Sequence, residues 1–145
     1  MGLKCKSPRF PLDTHHPGMA EQVRMNQLLQ NALNVIRDDV HENSKAHGFH
    51  DFNESDGQFI TRSLMLMNTE TSELFEAYRN HTLGLPCDKS SKMVQPLTNE
   101  EEEIADLIIR ALDYCGRRKI DAGRAVAIKH EYNTRREFRH GGKAA

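Results

Sequence analysis

The chain has 145 residues, 37% hydrophobic and only 6% aromatic, enough for one domain that is either a small helical protein with thin layers or one that completes its core by oligomerising. Twenty basic and 21 acidic residues leave a formal net charge of −1, so no global field draws nucleic acid or a membrane surface. Cys5, Cys87 and Cys115 form neither a C-x-x-C pair nor a zinc spacing, which fits a reducing, cytoplasmic setting, and no apolar run approaches the ~18 residues of a membrane span.

In chain order the predicted elements are helical. Residues 1–18, with Pro8, Pro11 and Pro17, read as an irregular N-terminal arm, 19–139 as the helical domain and 140–145 as a C-terminal tail. Val23, Leu28, Leu29, Ala32, Leu33, Ile36 and Val40 recur at helical spacing and predict a first helix over 19–46, with Gly48 as its stop. A polar loop, 47–58, carries Phe49 and Phe52. The second helix is expected over 59–82, and 83–97, with Gly84, Pro86 and Pro96, as a mobile connection. Thr98-Asn-Glu-Glu101 has the form of a capping box and opens a third helix to about Gly116. Asp121 is a good N-cap for a fourth helix over 122–138. The fold class is all-α, a four-helix, bundle-like domain.

Two acidic stretches dominate this pattern. Glu70 and Glu73 are three residues apart, as are Glu103 and Asp106, so each pair shares one helix face. Both lie within apolar periodicity: Leu66, Glu70, Glu73 and Ala77 form one stripe, and Glu103, Asp106, Arg110 and Asp113 another. Four carboxylates beside a helical core repel unless something neutralises them. A hard divalent cation with oxygen ligands, Mg²⁺ or Mn²⁺, does that; the plainer reading is two solvated acidic faces with cationic partners. On the fourth helix, Lys129, Asn133 and Arg136 fall at steps of four and three, on one face that could grip phosphate. The competing reading is a basic surface helix balancing the acidic middle.

The two-part pattern Glu70-x-x-Glu73 followed by Glu103-x-x-Asp106 resembles that of the MazG-like all-α nucleoside triphosphate pyrophosphatases. So does its context, Leu-Met-Asn-Thr-Glu-Thr-Ser-Glu-Leu-Phe-Glu-Ala-Tyr-Arg and Glu-Glu-Ile-Ala-Asp-Leu-Ile-Ile-Arg-Ala-Leu-Asp. The closing Lys-x-x-x-Asn-x-x-Arg…His-Gly-Gly-Lys segment resembles that of phage-type members, and the likeness covers roughly 24–143; Glu137 stands where a proline is expected. The resemblance implies a MazG-like fold completed by oligomerisation, as a dimer or dimer of dimers. It implies conversion of a (d)NTP to (d)NMP and pyrophosphate, with Glu70, Glu73, Glu103 and Asp106 holding Mg²⁺ or Mn²⁺ and Glu70 or Glu73 taking a catalytic part. Lys129, Asn133 and Arg136 become triphosphate contacts, with tail residues His140 and Lys143 closing over the same group. Glu76 and Asp113 either stand behind the metal ligands or pair with Arg79 and Arg110.

The base is expected against the 47–58 loop, with Phe49, Phe52 or Phe59 stacking unless they serve the core. Asp51, Asn53 or Asp56 would read base edges; a carboxylate accepting two donors suits guanine, which leans toward a purine (dGTP or dATP). Rival motifs fit poorly. His50-Asp51 resembles the HD dyad of another phosphohydrolase class but needs ligands recruited from His41, His47 and Asp106. The Asp51 segment fails as an EF-hand at Asp56 and Arg62, and there is no phosphate-binding G-x-x-x-x-G-K loop. The remaining alternative is a non-catalytic helical module that binds nucleotides or only itself.

Overall fold

The computed structural model describes residues 19–134 and Arg136, and among them the protein is four α-helices with one 3-10 turn and no strand. These are α1 (Met19–Ala46), α2 (Asp56–Arg79), the 3-10 turn (Ser90–Lys92), α3 (Asn99–Arg117) and α4 (Ala122–Thr134). The arm over 1–18 and the tail, with His140 and Lys143, lie outside the described residues. No helix in the described part is long and apolar enough to cross a membrane.

Local chemistry sets the boundaries. Past α1, Gly48 adopts φ 79°, a left-handed conformation that costs a glycine little, and its N–H donates to Lys45 O at 3.0 Å. α2 begins three residues earlier than the periodicity suggests, because Ser55-x-x-Gln58 is a capping box: Gln58 N–H donates to Ser55 Oγ, and Ser55 N–H donates to Gln58 Oε1 at 2.9 Å. It stops at Arg79 rather than at 82; His81 lies in the left-handed region with φ 57°. The Thr98/Glu101 capping box of α3 forms as expected. Asp121 Oδ1 accepts from Arg124 N–H at 2.9 Å and caps α4, which ends at Thr134 and not at 138.

The connection expected to be mobile is pinned instead. Cys87 N–H donates to Leu97 O (3.0 Å), Asn99 Nδ2 to Thr82 O (2.8 Å) and the buried Ser90 hydroxyl to Leu97 O (2.5 Å), while Pro86 and Thr98 form an isolated antiparallel bridge. Its proline and glycine residues shape a turn, and Leu85, Cys87, Ser90, Lys92 and Met93 each donate a backbone N–H within it.

α3 is central, packing on both α1 and α2, and α4 packs on α1. Among the described residues Phe59, Cys87, Leu112 and Ala122 are the buried hydrophobic ones, and Phe59 is the one large side chain that is fully enclosed. The face α1 turns inward is largely polar: Asn34, Arg37 and His41 bond Asp121, Ile120 O and Asp113 respectively. The apolar stripe read from the sequence therefore lies mostly outside, with Leu28 64% and Leu29 61% exposed and Ile36 also open. α3 repeats the inversion, with Ile104 and Ile108 exposed while Glu102 is buried and Glu103 and Asp106 are half-buried.

Candidate metal centre and adjoining cleft

The carboxylates meet where α2 crosses α3. One oxygen from each of Glu70, Glu73 and Glu103 lies within 4.8 Å of the others. Glu70 is buried on the inner face of α2, Glu103 is half-buried on α3, and Glu73 stands at the exposed rim one turn after Glu70. Glu70 Oε1 accepts from Arg110 Nε at 3.0 Å. Glu103 Oε2 is buried and has no hydrogen-bond partner among the described residues. Burial first, then the charges of Glu73, Glu102, Glu70 and Asp106, push the Glu103 carboxyl up to about 7. Asp106, outside the group of three, is also raised, by burial and then by Glu70, with Lys89 and Arg110 opposing. An orphaned oxygen among converging carboxylates fits an oxygen-coordinated divalent ion, and all-oxygen donors select a hard cation. Glu70, Glu73 and Glu103 are brought together as the sequence suggests, with Asp106 beside them.

Two cations flank this cluster. Besides Arg110, the pinned connection carries Lys89, whose Nζ is 2.7 Å from the buried carboxylate of Glu102. Glu102 and Asp106 hold the Lys89 ammonium above the usual lysine range. A cleft of about 160 Å³ opens next to Asp106, between α1, α2 and α3. Asn43, Ser44, Phe49, Arg62 and Ser63 line it together with Arg110 and Asp113.

No protein-family model matches the chain, and no curated protein or solved structure does either. The functional reading therefore rests on this geometry and on the motif resemblance.

The other predicted positions separate. Phe49 lines the cleft, whereas Phe59 is core, stacked on Tyr114 at 5.8 Å, and Phe52 lies against the Arg62 guanidinium. Asp51 and Asn53 are exposed in the loop, and Asp56, in the first turn of α2, pairs with Arg118 at 2.6 Å. Lys129 and Arg136 flank the Tyr132 ring at 4.7 and 5.7 Å, and Asn133 O accepts from Arg136 N–H. No hydrogen bond or ion pair joins these three to the carboxylates among the described residues. Glu76 faces Arg79 at 3.9 Å, on the surface. Among the described residues Asp113 bonds neither the four acidic candidates nor Arg110; its partners are His41 and His50. Sequence reasoning assigned no role to Lys89 or Glu102, and weighed His41 and His50 only as ligands of a rival HD-type site, not as partners of Asp113. For Asp113 a signal existed, the one-heptad spacing from Asp106; partners 63 and 72 residues away carry none.

Proposed function

We propose that the protein is a metal-dependent nucleoside triphosphate pyrophosphohydrolase of the MazG-like kind, converting a (d)NTP to (d)NMP and pyrophosphate. The observation that carries this reading is the convergence of Glu70, Glu73 and Glu103 beside a cleft, with a buried Glu103 oxygen that has no hydrogen-bond partner among the described residues. Glu70, Glu73, Glu103 and Asp106 would hold Mg²⁺ or Mn²⁺, which supplies charge neutralisation and a more acidic water when bound.

The chain's own groups divide the remaining work. Water oxygen attacks the α-phosphorus, the bond from that phosphorus to the bridging oxygen breaks, and pyrophosphate leaves. Glu70 is tied to Arg110, so Glu73, open to solvent, is the better acceptor for the water's proton. Arg110 and Lys89 stand at the rim where phosphate charge must be matched. The small polar cleft beside Asp106 would take the base, with Phe49 as its aromatic wall.

The basic face of Lys129, Asn133 and Arg136 is assigned to the triphosphate by resemblance. Because α4 packs on α1 while the carboxylates sit between α2 and α3, that role calls for a neighbouring copy. The exposed leucine and isoleucine stripe on α1 favours self-association. It also favours the second reading, a helical module that only assembles with itself.

Pyrophosphate release from a panel of NTPs and dNTPs, with and without Mg²⁺ or Mn²⁺, separates the two. Metal-dependent release of one pyrophosphate per nucleotide supports the enzyme; no turnover with any nucleotide leaves the module.

A further inference from the structure

A polar network centred on Asp113, which lines the same cleft as Asp106, joins α1, the 47–55 loop and α3. Asp113 Oδ1 is 2.8 Å from His41 Nδ1 on α1 and 2.8 Å from His50 Nε2 in the 47–55 loop, and Asp113 Oδ2 is 3.1 Å from the same His50 nitrogen. His50 Nδ1 faces Arg117 Nη1 at 3.3 Å. A guanidinium can only donate, so Nδ1 is the acceptor and Nε2 carries the proton that is given to Asp113. Gly116 allows this close packing, since a Cβ there would lie 2.5 Å from His41 Cβ.

Two imidazoles and a carboxylate with donor atoms within 4.8 Å of one another could also take a transition metal. A metal on His50 Nε2 would drive the proton onto Nδ1, against Arg117. Metal-bound histidines instead give their second N–H to an acceptor. The contacts fit a hydrogen-bonded hub better.

That hub ties the loop to α3. Its other anchor, Glu54, reaches Arg62 on α2 at 2.6 Å and Arg117 on α3 at 3.5 Å. Phe49, the residue before His50, lines the cleft that Asp113 and Asp106 also line. We propose that His41, Asp113 and His50 form a latch that holds the 47–55 loop against α3, making His50 a positioning residue that sets the Phe49 wall of the nucleotide cleft. The latch is a matter of structure; its effect on nucleotide use rests on the function proposed above.

The test compares wild type, His50→Ala and His50→Gln by amide hydrogen exchange and by steady-state kinetics on four dNTPs with Mg²⁺. A glutamine amide can replace the Nε2–H donor. The alanine variant should exchange about tenfold faster in 47–55 with α2 and α3 unchanged. Its KM should rise about tenfold, with an altered ranking among bases and kcat held within roughly threefold. The glutamine variant should recover both. If His50→Ala does not fold, Asp113→Asn, which keeps one acceptor oxygen, is measured in the same way. Loop exchange equal to wild type overturns the latch, and so does stoichiometric Zn²⁺ bound by wild type and lost in both His50 variants. A freed loop with unchanged KM and ranking overturns the positioning role. Should wild type hydrolyse no nucleotide, the enzymatic reading falls and the exchange comparison alone decides the latch.

Discussion

Arg110 Nε on α3 lies 3.0 Å from Glu70 Oε1 on α2, joining two helices across 40 residues of sequence. The Glu70 side chain is 6% exposed and that of Arg110 34%, so the pair is lopsided: a buried carboxylate answered by a cation that keeps one side in water. Arg110→Met should leave Glu70 without a counter-charge and lower the stability of the metal-free protein by about 1–2 kcal/mol. This is less than the ~3–5 kcal/mol of a fully enclosed broken pair, because solvent screens the arginine. Urea denaturation should show the deficit shrinking on addition of Mg²⁺; a deficit indifferent to divalent ions would mean that the carboxylates bind none.

Removing a carboxylate from the cluster should have opposite effects on activity and fold. Glu73→Gln deletes one charge that raises the Glu103 pKa and one proposed ligand. Turnover should fall to background, while the metal-free protein melts no lower than wild type. Full Mg²⁺-dependent activity in this variant would place the chemistry elsewhere.

The metal-free protein should lose stability as pH rises. Glu103 has a folded value of about 7 against an ordinary 4.5, so the folded state binds the extra proton between those values. Folding is therefore unpenalised below the ordinary value and pays the full cost of the Glu103 charge above the folded one. Raised Asp106 adds in the same direction. Melting temperatures without metal should drop from about pH 5 to about pH 8, less steeply in Glu103→Gln, and saturating Mg²⁺ should flatten the wild-type curve. A melting temperature that rises over this range would contradict the burial of these groups.

Arg136→Ala tests the basic helix. Charge-assisted contacts to phosphate contribute about 1.5–3 kcal/mol, so kcat/KM should fall roughly ten- to a hundredfold. The loss should be alike for every base, since all substrates share the phosphates. A base-selective loss would mean that the two ends of the nucleotide have been exchanged.

The open apolar stripe of α1 predicts self-association. Light scattering at micromolar concentration should give a mass above one chain, and Leu29→Glu, at a position 61% exposed, should reduce it without unfolding α1. A wild-type monomer that is fully active would defeat this.

Much of this architecture is local, and the sequence determined it alone. Helical periodicity, the Thr98/Glu101 box, the Asp121 cap and the Gly48 stop depend on neighbours within about four residues, so the four helices were legible. The i, i+3 spacing likewise placed Glu70 with Glu73 and Glu103 with Asp106, because a helix face is a local property. What periodicity could not supply was which face turns inward. α1 turns the half-buried Asn34, Arg37 and His41 inward, and α3 buries Glu102 while exposing Ile104. Those choices follow from partners on other helices, and a hydrogen bond between residues 72 apart leaves no trace in either one's neighbourhood. The tertiary structure alone decided that Arg110 answers Glu70, that Lys89 answers Glu102 and that Asp113 serves two histidines. A charge burial is stable only in combination with its counter-charge, and that combination is set by how the helices cross.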